Sequence, residues 1–344
     1  GLADHNIWWD EGLSVLAARK SFTGATLWTA ADVHPPLYFW ILWGWKQLAG
    51  ETEFALRFIT VIESLLTVAV MAPLGRRLGK TGVGVGALWL LALSRFHIWW
   101  SQEMRMYVLA GLCITASLYF VYRLGRGERH RWVWIGWGLA TWGALMTLYA
   151  AIVLVLIQNL FMLAMGWRRD DRWRFWGHWI LDQLVVGAVI VPWLLLALPR
   201  MRSWSVVQEP ASLAFVLELN AVLLTLGIST DVGRYALPAL VVMGGLLIGL
   251  ILVLCRRREA WRGLLLLILG VLLPPLIVWL LTQPRGFFYT PRVEARYLLP
   301  YAPAFYALLA WSLAGWLRSQ KAWRWVGLVL CVVFLVGLGW MLPQ

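Results

Sequence analysis

Long apolar stretches separated by short charged ones dominate this chain, and only its first fifty residues break the pattern. Stretches of helix length run over 54–75, 82–100, 104–122, 132–147, 149–166, 177–198, 236–255, 263–282, 295–317 and 323–342. A helix crosses the hydrocarbon core of a bilayer with ~20 residues, about 17–25 in practice. The pattern therefore predicts ten crossings, with 132–147 and 149–166 the shortest. Residues 35–49 are apolar but only 15 long and rich in Trp and Tyr. That length and composition suit a helix lying in, or dipping into, the membrane interface. Leu13 to Lys20 reads as a second short interfacial helix, with Ser14 near its start and basic residues at its end. The predicted fold class is all-α: one domain over 1–344, an outer loop with interfacial helices at 1–53, and a transmembrane bundle at 54–342. The chain opens on Gly1 within a polar segment, so a further span is expected before it.

Composition agrees with this class. The chain of 344 residues is 61% hydrophobic and 14% charged, with mean hydropathy +0.72. A soluble domain is about 45–50% apolar and about 25% charged, so one soluble core cannot hide the excess. The 26 tryptophans suit bilayer interfaces. Cys113, Cys255 and Cys331 fall in apolar stretches without metal-ligand spacing and read as small buried hydrophobes.

Charge then orients the bundle. The net charge of +13 would suggest nucleic acid in a soluble protein, but here the basic residues sit in short loops between spans. Five loops, at 76–80, 123–131, 167–174, 256–262 and 318–324, hold 18 of the 30 Lys/Arg and only 4 of the 17 acids. The positive-inside rule places them in the cytoplasm. Residues 1–53, the turn at 95–103, residues 199–235 and residues 283–294 then face outward. This arrangement predicts a multi-pass protein of the cytoplasmic (inner) membrane, surrounded by membrane lipids and without a nucleic-acid partner.

The concentrated polar clusters all fall on that outer side: Asp10-Glu11; Asp32, His34 and Tyr38; Glu51, Glu53 and Arg57; Glu103, Arg105 and Tyr107; and Arg292, Glu294, Arg296 and Tyr297. Ionisable residues at span ends cost insertion energy, so five clusters on one face suggest one shared polar cavity. Tyr107 lies four positions after Glu103 and would share a helix face with it. Arg292 and Arg296, also four apart, could project toward one anion; topology and snorkelling are the plain alternatives. Glu53 and Arg57 read as a helix-start pair. A lone His34 is a weak metal ligand. Glu63 and Asp182 lie inside spans and should face the bundle interior, Asp182 far from the outer clusters. No Walker or dinucleotide loop, nucleophile elbow or zinc-helix motif is present; Gly82-Val-Gly84-Val-Gly86 lacks the lysine. A nucleotide donor on the cytoplasmic side is therefore poorly supported.

The order Asp-Glu, His-Pro-Pro-Leu-Tyr, Glu-x-x-Leu-Arg, Ser-Gln-Glu-x-Arg-x-Tyr and Ala-Arg-Tyr-Leu-Leu-Pro resembles the GT-C membrane glycosyltransferases. More narrowly it is similar to the protein O-mannosyltransferase-like and lipid A aminoarabinose transferase-like group, including its bacterial members. The resemblance implies a glycosyltransferase of the cell envelope that takes a polyprenyl-phosphate sugar donor at the outer face. Asp10 matches the essential loop carboxylate, with Glu11 beside it, and Glu103 the second acid. His34, Arg105, Tyr107, Arg292, Arg296 and Tyr297 are the expected substrate-binding residues, with Arg296-Tyr297 near the lipid phosphate. Asp10 would deprotonate an acceptor hydroxyl on a lipid, glycan or protein, which attacks with inversion. No cofactor is implied beyond a divalent metal that Glu103 could help bind. The competing reading is a transporter or flippase of lipid-linked sugars, which predicts charges near the midplane of several spans and a repeat of the two halves. No such repeat is visible.

Overall fold

The computed structural model describes residues 2–4, 6–167, 169–201, 209–227, 231–284 and 290–319, together with Trp325 and Val329. These residues are all-α in architecture. The predicted span 323–342 lies outside them except for Trp325 and Val329.

Three short helices open the chain: α1 (Trp9–Arg19), α2 (Phe22–Ala30) and α3 (Leu37–Ala49). α1 starts four residues before the expected Leu13, so Asp10 and Glu11 occupy its first turn instead of a preceding loop. Carboxylates are favoured there by the unsatisfied N–H groups of a helix start. The apolar pattern did not reveal α2. Its start is set by Ser21, whose hydroxyl accepts from the Gly24 N–H at 3.1 Å. α3 corresponds to the expected interfacial segment and follows Pro35-Pro36, where a missing N–H costs little.

Thr52 caps α4 (Glu53–Gly79), accepting from the Ala55 N–H at 3.2 Å. α4 lies tightly against α5 (Thr81–Ala92). A Cβ on Gly75 would come within 2.6 Å of the Gly84 Cα, so glycine at both positions lets the backbones touch. Gly84, in the middle of the glycine run at 82–86, thus has a packing use. The expected span 82–100 is not one helix: α5 ends at Ala92 and Ser94 caps α6 (Arg95–Ser101) through the His97 N–H at 3.2 Å. The two pieces meet at 59°. A serine side chain that satisfies the next helix start makes this break possible.

Next come α7 (Tyr107–Gly125), α8 (Arg131–Leu145), α9 (Ile152–Gly166) and α10 (Arg172–Ala197). Residues 199–235, expected as an outer loop, contain α11 (Leu213–Leu226), with Val216, Asn220 and Val222 buried. Fourteen residues are too few to cross a bilayer, so its apolar side chains pack against α12 (Val232–Arg256) and α13 (Trp261–Leu281). α14 (Ala302–Leu317) runs through the centre and is the most buried helix of the bundle. Its Tyr306 hydroxyl donates to the Leu224 carbonyl at 3.0 Å and lies 2.6 Å from the Ser94 hydroxyl. One buried phenol therefore joins α14, α11 and the α5–α6 break.

Seven described helical segments are long and apolar enough to cross a membrane, or eight with the bent α5–α6 pair as one span. Ten were expected. Part of the difference is α8, whose 15 residues fall short. The protein is a multi-pass membrane protein. One end of the bundle carries the starts of α4 and α7; the other carries the basic loops and is called the basic end below.

Candidate active site

Glu11 organises the site. It is fully buried, and the Arg57 Nε and Nη2 donate to its two carboxylate oxygens at 2.9 and 2.6 Å. The Met104 N–H also donates to it, at 2.9 Å. This two-point ion pair clamps α1 onto α4 and draws the 102–106 turn against both. Arg57 continues to the carbonyls of Leu2 and Asn6, at 2.6 and 3.4 Å. The expected Glu53–Arg57 pair is only a 4.0 Å contact, because the buried Glu11 outcompetes an exposed partner. Glu11 was expected among the catalytic residues. In the structure its two oxygens are held by three donors.

Arg105 secures α1 from the other side. It is buried and donates through Nη1 to the Asp10 carbonyl at 2.9 Å and to the Ser14 hydroxyl at 3.2 Å. Its Nη2 lies 3.1 Å from the His34 Nε2. Since a guanidinium can only donate, Nε2 accepts and the His34 proton sits on Nδ1, an atom buried without a hydrogen-bond partner. Burial first, and the Arg105 charge second, hold His34 well below its ordinary pKa, so it stays neutral.

With α1 fixed on both flanks, the neighbouring side chains converge. The Asp10 carboxylate, half-buried, pairs with the Arg296 guanidinium, which also pairs with Glu294. Arg296 sits over the Trp8 and Tyr107 rings, 5.6 and 5.9 Å from their centroids. The Trp8 indole N–H donates to Glu103. Burial raises the Glu103 carboxyl above its ordinary range, against the lowering effect of that hydrogen bond. Asp32 is shifted up in the same way by burial, and it feels both Arg105 and Asp10. Tyr107 packs edge-on against Tyr297 at 6.2 Å.

Beside this cluster lies an apolar cavity of about 280 Å³. His34, Tyr149, Thr282 and Tyr297 are its polar lining, and Leu148, Ile152, Leu194 and Val278 are among its apolar walls.

Of the residues expected from the sequence, Asp10, Glu11, His34, Glu103, Arg105, Tyr107, Arg296 and Tyr297 therefore come together. Two spacing arguments do not hold. Glu103 sits in the turn before α7 and does not share a helix face with Tyr107, because α7 begins only at Tyr107. Arg292 is exposed and outside any helix, while Arg296 is in a short 3₁₀ turn and α14 starts at Ala302. Their spacing of four is thus not a helical one. Arg57, Trp8 and Ser14 gained no site role from the sequence: Arg57 had a nearer acid in Glu53, and the others carry no charge. Among the described residues, no three His, Cys, Asp or Glu side chains are grouped to hold a metal ion.

A sequence model of the family described as dolichyl-phosphate-mannose-protein mannosyltransferase matches residues 33–196. That stretch includes His34, Arg57, Glu103 and Arg105, but not Asp10 or Arg296. No curated protein matches the sequence closely. The structure superposes on that of ArnT from Cupriavidus metallidurans in the apo state with a TM-score of 0.67, at 17% identity, over 96% of this chain and 59% of that one. The chain has the GT-C fold. The same ArnT bound to undecaprenyl phosphate matches with a TM-score of 0.63 at 15% identity, over 96% of this chain and 60% of that one. The chain thus spans about three-fifths of the length of these two structures, and nearly all of its own length is used in the match.

Proposed function

We propose that this protein is a membrane glycosyltransferase that moves a sugar from a polyprenyl-phosphate donor to an acceptor hydroxyl, at the outer face of the cytoplasmic membrane. The observation that carries this reading is the pairing of Asp10 with Arg296 next to an apolar cavity edged by His34 and Tyr297. A lipid phosphate needs an apolar groove that ends on a guanidinium. The family match and the ArnT bound to undecaprenyl phosphate support the donor class.

The chemistry follows from the ion pair. A donor phosphate reaching Arg296 competes with Asp10 for the same guanidinium. Arg296 then stabilises the departing phosphate, and the released Asp10 carboxylate takes the proton of the acceptor hydroxyl as its oxygen attacks the anomeric carbon with inversion. Neutral His34 offers its buried Nδ1–H as a hydrogen-bond donor to the donor lipid or its sugar. Glu103, held by Trp8, orients the acceptor. Glu11 and Arg105 keep α1 in register.

The test uses the whole chain in liposomes with a labelled polyprenyl-phosphate sugar. Asp10→Asn should slow transfer by roughly 10²–10⁴-fold, the usual worth of a positioned general base, while donor affinity is kept. Arg296→Ala should weaken donor binding more than it slows the bound reaction. Normal transfer by Asp10→Asn would sink the catalytic reading. Donor movement across the bilayer without any glycosylated product would favour a flippase.

A further inference from the structure

The basic end of the bundle holds a second cavity, of about 360 Å³, between the end of α7, the start of α8 and the start of α10. Its two charge poles are separate. At the rim, Asp171 accepts from Arg129 at 3.0 Å and from Arg169 at 2.8 and 3.2 Å. Glu128, which also lines the cavity, is held by Arg77 and Arg123, so the one carboxylate that Arg129 and Arg169 share leaves a surplus positive charge. The Arg169 guanidinium stacks over the Phe175 ring at 4.8 Å, which fixes it at the mouth.

The opposite pole is Asp182, half-buried in the wall on α10 and without an ion-pair partner within 4 Å among the described residues. His178, one turn before it, has Nδ1 2.6 Å from the Arg174 carbonyl, so the proton lies on Nδ1 and Nε2 is left as an acceptor. Trp134 also lines the space. Below, α10 presents Ile180, Leu181 and Leu184 to the membrane, each more than half exposed.

We propose that this cavity binds the zwitterionic headgroup of a phospholipid carrying a primary ammonium group. The phosphate takes the surplus charge of Arg129 and Arg169. The ammonium places its three N–H donors on Asp182 and His178 Nε2, against the Trp134 face. The acyl chains run along the exposed apolar face of α10. A simple anionic headgroup satisfies the rim but leaves the Asp182 carboxylate facing it, and a trimethylammonium headgroup has no N–H to give.

Native mass spectrometry of the delipidated full chain tests this with phosphatidylethanolamine, phosphatidylglycerol and phosphatidylcholine of identical acyl chains. The ethanolamine lipid should bind at least tenfold more tightly than the other two. Asp182→Asn should abolish that preference, Asp182→Glu should keep it, and Arg169→Gln should weaken all three lipids alike. Thermal unfolding of each variant, matched to the parent chain, separates lost binding from lost folding. Equal binding of the three lipids, or an unchanged preference in Asp182→Asn, would overturn the proposal. So would displacement by soluble phosphoethanolamine with the affinity of the lipid, which would assign the cavity to a free metabolite. None of these outcomes depends on whether the outer site transfers sugar.

Discussion

The candidate site and the basic end of the bundle handle charge in opposite ways. Within the site the ion pairs are buried or half-buried and joined by several hydrogen bonds, as in Glu11 with Arg57 and Asp10 with Arg296. At the basic end they are open to solvent, as in Arg77 with Glu128, where the side chains are 46% and 32% exposed. A buried pair is costly to form, so it persists only where geometry or function demands it. An exposed pair follows from topology and contributes little. The contrast separates the charges that hold the candidate site together from those that lie in exposed loops.

The largest test of this contrast is Arg57→Ala. It strands the buried Glu11 carboxylate and should cost about 3–5 kcal/mol, read as a large drop in thermal stability together with loss of transfer. A drop of the size seen for an exposed pair would erase the distinction. A smaller effect is expected from pH. His34 is held below its ordinary value of 6.5, so the folded state refuses a proton that the unfolded chain accepts. Its contribution to stability is therefore complete above that value and is lost as pH falls below it. Asp32 and Glu103, both raised, act in the opposite sense and lose their contribution as pH rises. The difference between the parent chain and His34→Gln isolates the histidine: between pH 7 and 5 the parent should lose more stability than the variant. Equal slopes would show that His34 is not shielded. The smallest effect is Arg77→Ala at the basic end, less than about 1 kcal/mol and shrinking further with added salt.

Much of the fold was legible because hydropathy is a local property. The spans around α4, α7, α9, α10, α12, α13 and α14 stand out as long apolar runs, and the short α3 stands out by its length. What could not be read locally was how apolar segments share one another. Ser94 breaks α5 from α6 because its hydroxyl satisfies the next helix start, and Tyr306 fills the corner. α11 hides in a predicted loop because its apolar side chains pack on neighbouring helices instead of lipid.

The site divides along the same line. The sequence by itself determined which residue types lie at one end of the bundle and in what order, since charge bias and motif order need no folding to be seen. Only the tertiary structure decided their partners. It joined Glu11 to Arg57 in preference to Glu53 and turned Arg296 onto Asp10 across 286 positions. The physical reason is that a buried charge takes the partner that best replaces its lost water, and that partner is chosen by packing in three dimensions and not by spacing along the chain.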